Sequence, residues 1–360
     1  MKLSLHPGIA AGLLAALLFG ASAPLAKLLL ARIDAWLLAG LLYLGSGIGL
    51  WLWRLLRASP PVRLPWAERW WLVGAVVSGG LVGPVLLMLG LSQLTASRAS
   101  LLLNAEALLT ALLAWGLFRE SVDRRVALGM LAIVAGGVVL VWAPTDASAG
   151  QGSTLWPSVA VLGACLAWAV DNNLMRKVAL ADPVWLAMVK GLAAGSVNLL
   201  LALWVADAQW PGTGAVALGA LLGLASYGAS LALFIVGLRE LGVARAGAYF
   251  SVAPFFGAAL AVLLLGEPVG WPLLAAGALM AIGVALHLAE RHSHGHRHEP
   301  TAHDHVHTHG TGDAHHDHDH GHATSEHIAP GVRHAHPHRH EALVHEHPHY
   351  PDAHHRHEHR

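Results

Sequence analysis

The chain has 360 residues, 55% of them hydrophobic and only 12% charged, with a formal net charge of zero. Soluble domains carry roughly 25% charged residues, so composition argues against a water-soluble enzyme, and the zero balance offers no basic footprint for nucleic acid. The imbalance steepens before residue 291, because the last 70 residues hold 25 of the 27 histidines and 16 of the 44 Lys, Arg, Asp and Glu.

A bilayer-crossing helix needs about 20 mostly apolar residues. Ten such stretches follow one another: 8–30, 36–56, 70–91, 98–118, 126–142, then 155–178, 183–206, 215–238, 245–265 and 271–289. The expectation is an all-α integral membrane fold of ten transmembrane helices. The polar segment APTDASAGQGST (143–154) reads as the loop between two sets of five. In the first stretch, Ala21-Ser22-Ala23 mimics a signal-peptide cleavage site, yet the apolar run continues to Leu30, interrupted only by Pro24 and Lys27. That is long for a signal, so the stretch is read as a span. Cys165 is alone in apolar surroundings, which suits a small packed residue and excludes a disulfide within one chain.

Basic residues set the orientation. With a cytoplasmic N-terminus, the inner segments hold Lys2, Arg54, Arg57, Arg63, Arg69, Arg119, Arg124, Arg125, Arg176, Lys177, Arg239 and Arg245, against Arg32 and Arg98 outside. Twelve against two predicts that both ends face the cytoplasm, in a bacterial inner (plasma) membrane.

A shift of 147 residues pairs Gly90 with Gly237, Leu94 with Leu241, Arg98 with Arg245, Glu120 with Glu267 and Gly136 with Gly283. A shift of 149 sets Phe19 against Trp168 and Lys27 against Arg176. The repeat unit is five spans; five is odd, so the two copies (8–142 and 155–289) are expected to run in opposite directions, the build of many secondary transporters. Small residues at helical spacing, such as Gly45-Gly49, Gly79-Gly83 and Gly191-Gly195, predict close helix packing.

The stretches LLFGASAPLAKLLL (17–30), SRASLLLNAEALLTALLAWGLFRE (97–120) and LGVARAGAYFSVAPFFGAALAVLLLGE (241–267) resemble the drug/metabolite transporter superfamily, and within it EamA-type permeases. The resemblance covers residues 8–290. It implies two five-helix repeats around a polar-lined cavity, export of metabolites such as amino acids, sugars or purines, and no required cofactor. The family pattern also places a proline in the ninth span, matched by Pro254. The first repeat has Ala107 there, which predicts no kink in the fourth span.

Charges at bilayer depth cost about 2.5–3.5 kcal/mol each on insertion scales and mark pathways. Glu106, Lys190, Asp171 and Lys27 are the four that stand out, with Asn172, Asn173, Asn104 and Asn198 as neutral companions and Trp168 and Tyr227 as deep aromatics. Internal ion pairing that fixes the helices is the alternative role. Glu106 is the first choice as proton carrier, since its neighbours are Leu, Ala and Asn with no base within a helical turn. Lys190 suits a substrate carboxylate, or Asp171 when the site is empty.

From residue 291 to 360 the chain becomes a histidine-rich segment, expected to be a disordered cytoplasmic tail for want of apolar residues. Its metal candidates are His292, His294, His296, His298, His303, His305, His307, His309, His315, His316, His318, His320 and His322. Imidazoles with nearby carboxylates and no thiols suit Zn, Ni, Co or Cu, and the loose spacing suits a flexible buffer. The leading reading is a secondary transporter of a small organic metabolite, proton-coupled or exchanging, moving it outward. The alternative is a divalent-metal exporter or metal-responsive membrane protein whose tail gathers ions. The expected partners are the solute, the lipid bilayer and metal ions at the tail; a homodimer is left open.

Overall fold

The structure, a computed structural model, describes residues 7–62, 64–118, 124–142, 155–178, 181–241, 243–288, 293–298, 301–308, 333–340 and 343–348. The chain divides into two units, Met1–Glu290 and Arg291–Arg360.

The described residues of the first unit are helical or connect helices. Helices α1 (Pro7–Gly20) and α2 (Ser22–Leu29) share the first apolar stretch. Pro24 falls in the first turn of α2, where its missing N–H costs no helical bond, so it starts a helix instead of breaking one. Helix α3 (Ala35–Leu56) begins on Asp34, whose carboxylate accepts from the Trp36 N–H at 2.8 Å. The third stretch is α4 (Trp66–Ala75), a π-helical segment (Val76–Val82) and α5 (Gly83–Gln93). The fourth is α6 (Ala96–Leu102) and α7 (Ala105–Phe118), and the fifth is α8 (Arg124–Trp142).

The second set opens with α9 (Leu155–Met175) and α10 (Pro183–Trp204), the latter capped by Asp182 accepting from the Trp185 N–H at 2.9 Å. Next come α11 (Thr213–Gly223), a second π-helical segment (Leu224–Ala229) and α12 (Ser230–Leu241). Helices α13 (Val243–Phe250), α14 (Ala253–Leu265) and α15 (Trp271–Leu288) complete the unit. Gly266 ends α14 at φ 64°, the left-handed conformation glycine adopts at a helix C-terminus. Among the described residues seven helical runs are long and apolar enough to cross a membrane; Ala127–Trp142, Ala253–Leu265 and Trp271–Leu286 are shorter apolar helices.

The fourth stretch corrects the expectation drawn from Ala107. It breaks between α6 and α7 without any proline. Asn104 donates from Nδ2 to the Leu101 carbonyl at 2.9 Å, and its own N–H reaches the same oxygen at 3.1 Å. That carbonyl would otherwise serve the N–H of Ala105 in a continuous helix. A side chain competing for the backbone achieves what Pro254 was expected to do in the ninth stretch.

Packing is reciprocal. Helix α1 lies on α12 as α9 lies on α5, α3 crosses α10, α8 pairs with α15, and α6 meets α14. At the α3–α10 crossing a side chain at Gly191 would fall 2.8 Å from the Gly47 Cα, so only glycine permits this approach. Leu218, Leu221, Leu263 and Leu274 stand exposed on the helical unit, a surface that suits lipid tails.

Two polar ties join the halves at opposite ends. At one, the Glu267 carboxylate accepts from the Ala96 N–H (2.6 Å) and the Ser97 N–H (2.8 Å), capping α6. On the same turn Lys27 Nζ donates to the carbonyls of Leu91 (2.7 Å) and Ser92 (3.0 Å). At the other end, Arg54 Nη1 meets Asp182 Oδ2 at 2.7 Å while Nη2 donates to the Pro60 carbonyl at 2.7 Å.

The described residues of the second unit are strands. They form β1 (Ser293–His298), β2 (Thr301–Thr308), β3 (Arg333–His340) and β4 (Leu343–Pro348), with β1 antiparallel to β4 and β2 antiparallel to β3. Composition measures only what can be buried. The His-x-His alternation has the two-residue period of a strand, and main-chain pairing needs no apolar core.

Candidate functional site

The first π-helical segment is the pivot of the site. A π turn leaves carbonyls outside the regular ladder, and such turns concentrate at functional places. Here the Gly79 carbonyl accepts from Tyr43 OH and from Trp168 Nε1, both at 2.9 Å, and the Gly80 carbonyl accepts from Asn198 Nδ2 at 3.0 Å. Beside them Lys190 Nζ is ion-paired to Asp171 Oδ2. The Asp171 side chain is only 4% exposed and that of Lys190 17%, so neither is stable there without a partner. Gly79 makes the room: any side chain there would occupy the place of the Asp171 carboxylate.

Asp171, Asn172 and Asn173 follow one another on α9 and, turning about 100° per residue, serve different neighbours. Asn172 Nδ2 donates to Glu106 Oε1 at 3.0 Å and lies 3.4 Å from Thr110 Oγ1. Asn173 Nδ2 donates to the carbonyls of Thr110 (3.2 Å) and Ala169 (2.8 Å). Glu106 is the second residue of α7, so the break before it puts the carboxylate at a half-helix N-terminus, where negative charge is favoured. It lies within electrostatic range of both Asp171 and Lys190. Among the described residues, Asp171 Oδ1, Asn173 Oδ1 and Asn198 Oδ1 are buried acceptors with no hydrogen-bond partner. Acceptors left over in this way are spare capacity for a donor.

An aromatic wall continues from this cluster. Tyr227, in the second π-helical segment, meets Tyr43 (5.6 Å between centroids) and stands edge-on to Phe19 (5.7 Å, 81°). Phe19 meets Phe250 at 5.3 Å, which meets Phe234 at 4.8 Å. The Tyr227 side chain also lies near Ser22.

Of the residues singled out in the sequence, Glu106, Asp171, Asn172, Asn173, Lys190, Asn198 and Trp168 gather around the first π segment, and Tyr227 joins them through Tyr43. Lys27 does not: its ammonium is spent on the α5 C-terminal carbonyls. Asn104 is occupied with the α6–α7 break and lies 3.9 Å from Met280 Sδ. Arg98 is half-buried with Nη1 fully enclosed. Tyr43, Thr110, Ser22, Phe19 and Gly79 were missed. The Gly79-Gly80 pair inside an apolar stretch was the available signal. Among the metal candidates, His294, His296 and His298 lie on β1 and His303, His305 and His307 on β2. His292, His309, His315, His316, His318, His320 and His322 fall outside the described residues. Among the described side chains no group of three or more His, Cys, Asp and Glu is placed to hold a metal ion.

A crystal structure resembles the chain with a TM-score of 0.57 and 21% identity, covering 78% of this chain and 96% of the other, a likeness of fold. A protein of Methanothermobacter thermautotrophicus described as an uncharacterized transporter is 32% identical over 198 residues, or 52% of this chain. The chain spans about half the length of that curated relative, 55%. The model of the EamA-like transporter family matches twice, over residues 6–142 and 155–289. The chain belongs to the EamA-like transporter family, within the drug/metabolite transporter superfamily.

Proposed function

We propose that the protein moves a small organic metabolite outward across a bacterial inner membrane by alternating access, with proton coupling or solute exchange. Ten spans form two inverted five-helix repeats, and both termini lie in the cytoplasm. Reciprocal packing of α1 on α12 and α9 on α5 supports the inverted arrangement. In such folds the solute site lies where broken helices of the two halves meet near mid-bilayer.

The observation that carries this reading is the Asp171–Lys190 pair and the Glu106–Asn172 bond, set against an aromatic wall at a π-helical turn. Lys190 releases Asp171 to take a solute carboxylate, and Glu106 accepts the solute's ammonium group or a proton in the same cycle. Carboxylate-bearing solutes with an apolar end are therefore the first candidates. Metal export rests on the composition of the tail alone.

The test is counterflow of a radiolabelled mixture of zwitterionic amino acids in proteoliposomes. Exchange should exceed that of empty liposomes and vanish in Lys190→Ala. Exchange that survives intact in both Lys190→Ala and Glu106→Gln would remove these residues from the pathway. A reporter fused behind residue 290 should be active in the cytoplasm.

A further inference from the structure

The two sheets of the second unit share one antiparallel register. In the first sheet this register sets His294 opposite His347 and His296 opposite His345. In the second it sets His303 opposite His338, His305 opposite His336 and His307 opposite His334. All five rungs are histidine facing histidine, and the intervening rungs hold none: Gly295 with Glu346, Asp304 with Pro337, Val306 with Ala335. A slip of one residue would exchange every histidine partner for one of the intervening residues.

We propose that neighbouring histidine rungs are discrete sites for a first-row divalent metal ion, assembled across strands. One site uses the two rungs of β1 and β4; the other uses the three rungs of β2 and β3. Directly opposed residues in an antiparallel pair have Cα atoms about 4.5–5.5 Å apart. The next rung on the same face follows at about 6.8 Å, two residues at 3.4 Å each. The Cα atoms of four histidines in two neighbouring rungs thus fall within a patch of one metal site's dimensions, where zinc takes four ligands. Nitrogen donors without thiolate suit Zn, Ni, Co or Cu(II).

The site joins a stretch already rich in histidine, 294–307, to a second one, 334–347, that sequence spacing gives no reason to pair with it. A two-stranded hairpin is marginal in water by itself. An ion that binds only the paired form stabilises the pairing, so metal affinity and strand formation rise together. This site stands independently of which solute the helical unit carries.

The test is a Co2+ titration of the full-length protein in nanodiscs, followed by visible absorption against a competing chelator. The triple variant H334Q/H336Q/H338Q should weaken one class of Co2+ sites at least tenfold. H303Q/H305Q/H307Q should do the same, and combining the two triples should add little, since the rungs are already lost. H315Q/H316Q/H318Q removes as many histidines that belong to none of the five rungs and should leave that class within twofold. Equal losses from all three triples, or additive losses from the first two, would show that histidine number and not register governs binding, and would overturn the proposal. Transport is not read in this experiment, so the outcome leaves the solute assignment untouched.

Discussion

The two halves of the site occupy matching places with different chemistry. A shift of 149 residues sets Phe19 on Trp168 and Ser22 on Asp171, and a shift of 148 sets Tyr227 on Gly79. In the second half's elements Trp168 and Asp171 approach Gly79, and in the first half's elements Phe19 and Ser22 approach Tyr227. The geometry is the same while the content has diverged, ions and a backbone acceptor on one side, rings and a hydroxyl on the other. Glu106, at the half-helix start of the fourth stretch, likewise corresponds to Ala253 in the ninth at a shift of 147. The site therefore has a charged pole and an aromatic pole, the asymmetry an amphipathic solute would exploit.

The largest effect should come from unbalancing the charged pole. Lys190→Ala strands the buried Asp171 carboxylate and should abolish exchange while lowering stability by about 3–5 kcal/mol, read as thermal melting in nanodiscs. Adding Asp171→Asn should restore most of the stability and none of the exchange. If the single variant melts like the parent, the pair is not buried in the folded protein. Gly79→Ala should come next, costing about 1–3 kcal/mol because the new methyl group displaces the carboxylate. Glu106→Gln keeps the Asn172 contact in shape and should leave melting within about 1 kcal/mol, with exchange falling tenfold or more in a proteoliposome assay.

Smaller effects sharpen the same contrast at the aromatic pole and at the helix breaks. Asn104→Ala should cost about 1 kcal/mol by removing the donor to Leu101. Pro254→Ala should cost less than that, because alanine tolerates a helix's first turn. A greater loss at Pro254 than at Asn104 would mean that the proline ring, and not the asparagine amide, is the stronger of the two helix breakers. Tyr227→Phe removes only the hydroxyl beside Ser22 and keeps the ring contacts with Phe19 and Tyr43, so it should shift exchange no more than a few-fold.

Depth and charge were legible in the sequence, since an apolar run makes each intramembrane Asp, Glu or Lys conspicuous. That is why Asp171, Lys190 and Glu106 could be named from the sequence alone. Their partners were not legible. Lys27, toward the outer end of the first span, stood beside Lys190 as an intramembrane base, but its ammonium ends on Leu91 and Ser92, carbonyls anonymous in any sequence. Tyr43 and Thr110 matter because α3 and α7 bring them to Gly79 and Asn173 across long chain separations. The break at Asn104 was hidden for a related reason: proline announces an interruption, whereas an asparagine must compete with the backbone to make one.

The wide turns at Val76–Val82 and Leu224–Ala229 carry a practical consequence for mapping this protein. Each extra residue in a turn advances the angular phase of everything after it by about 100°. A single helical wheel drawn through residues 66–93 or 213–241 therefore assigns the wrong face to one of its halves. In a cysteine scan, the reactive positions should keep one rhythm up to the wide turn and resume out of step beyond it.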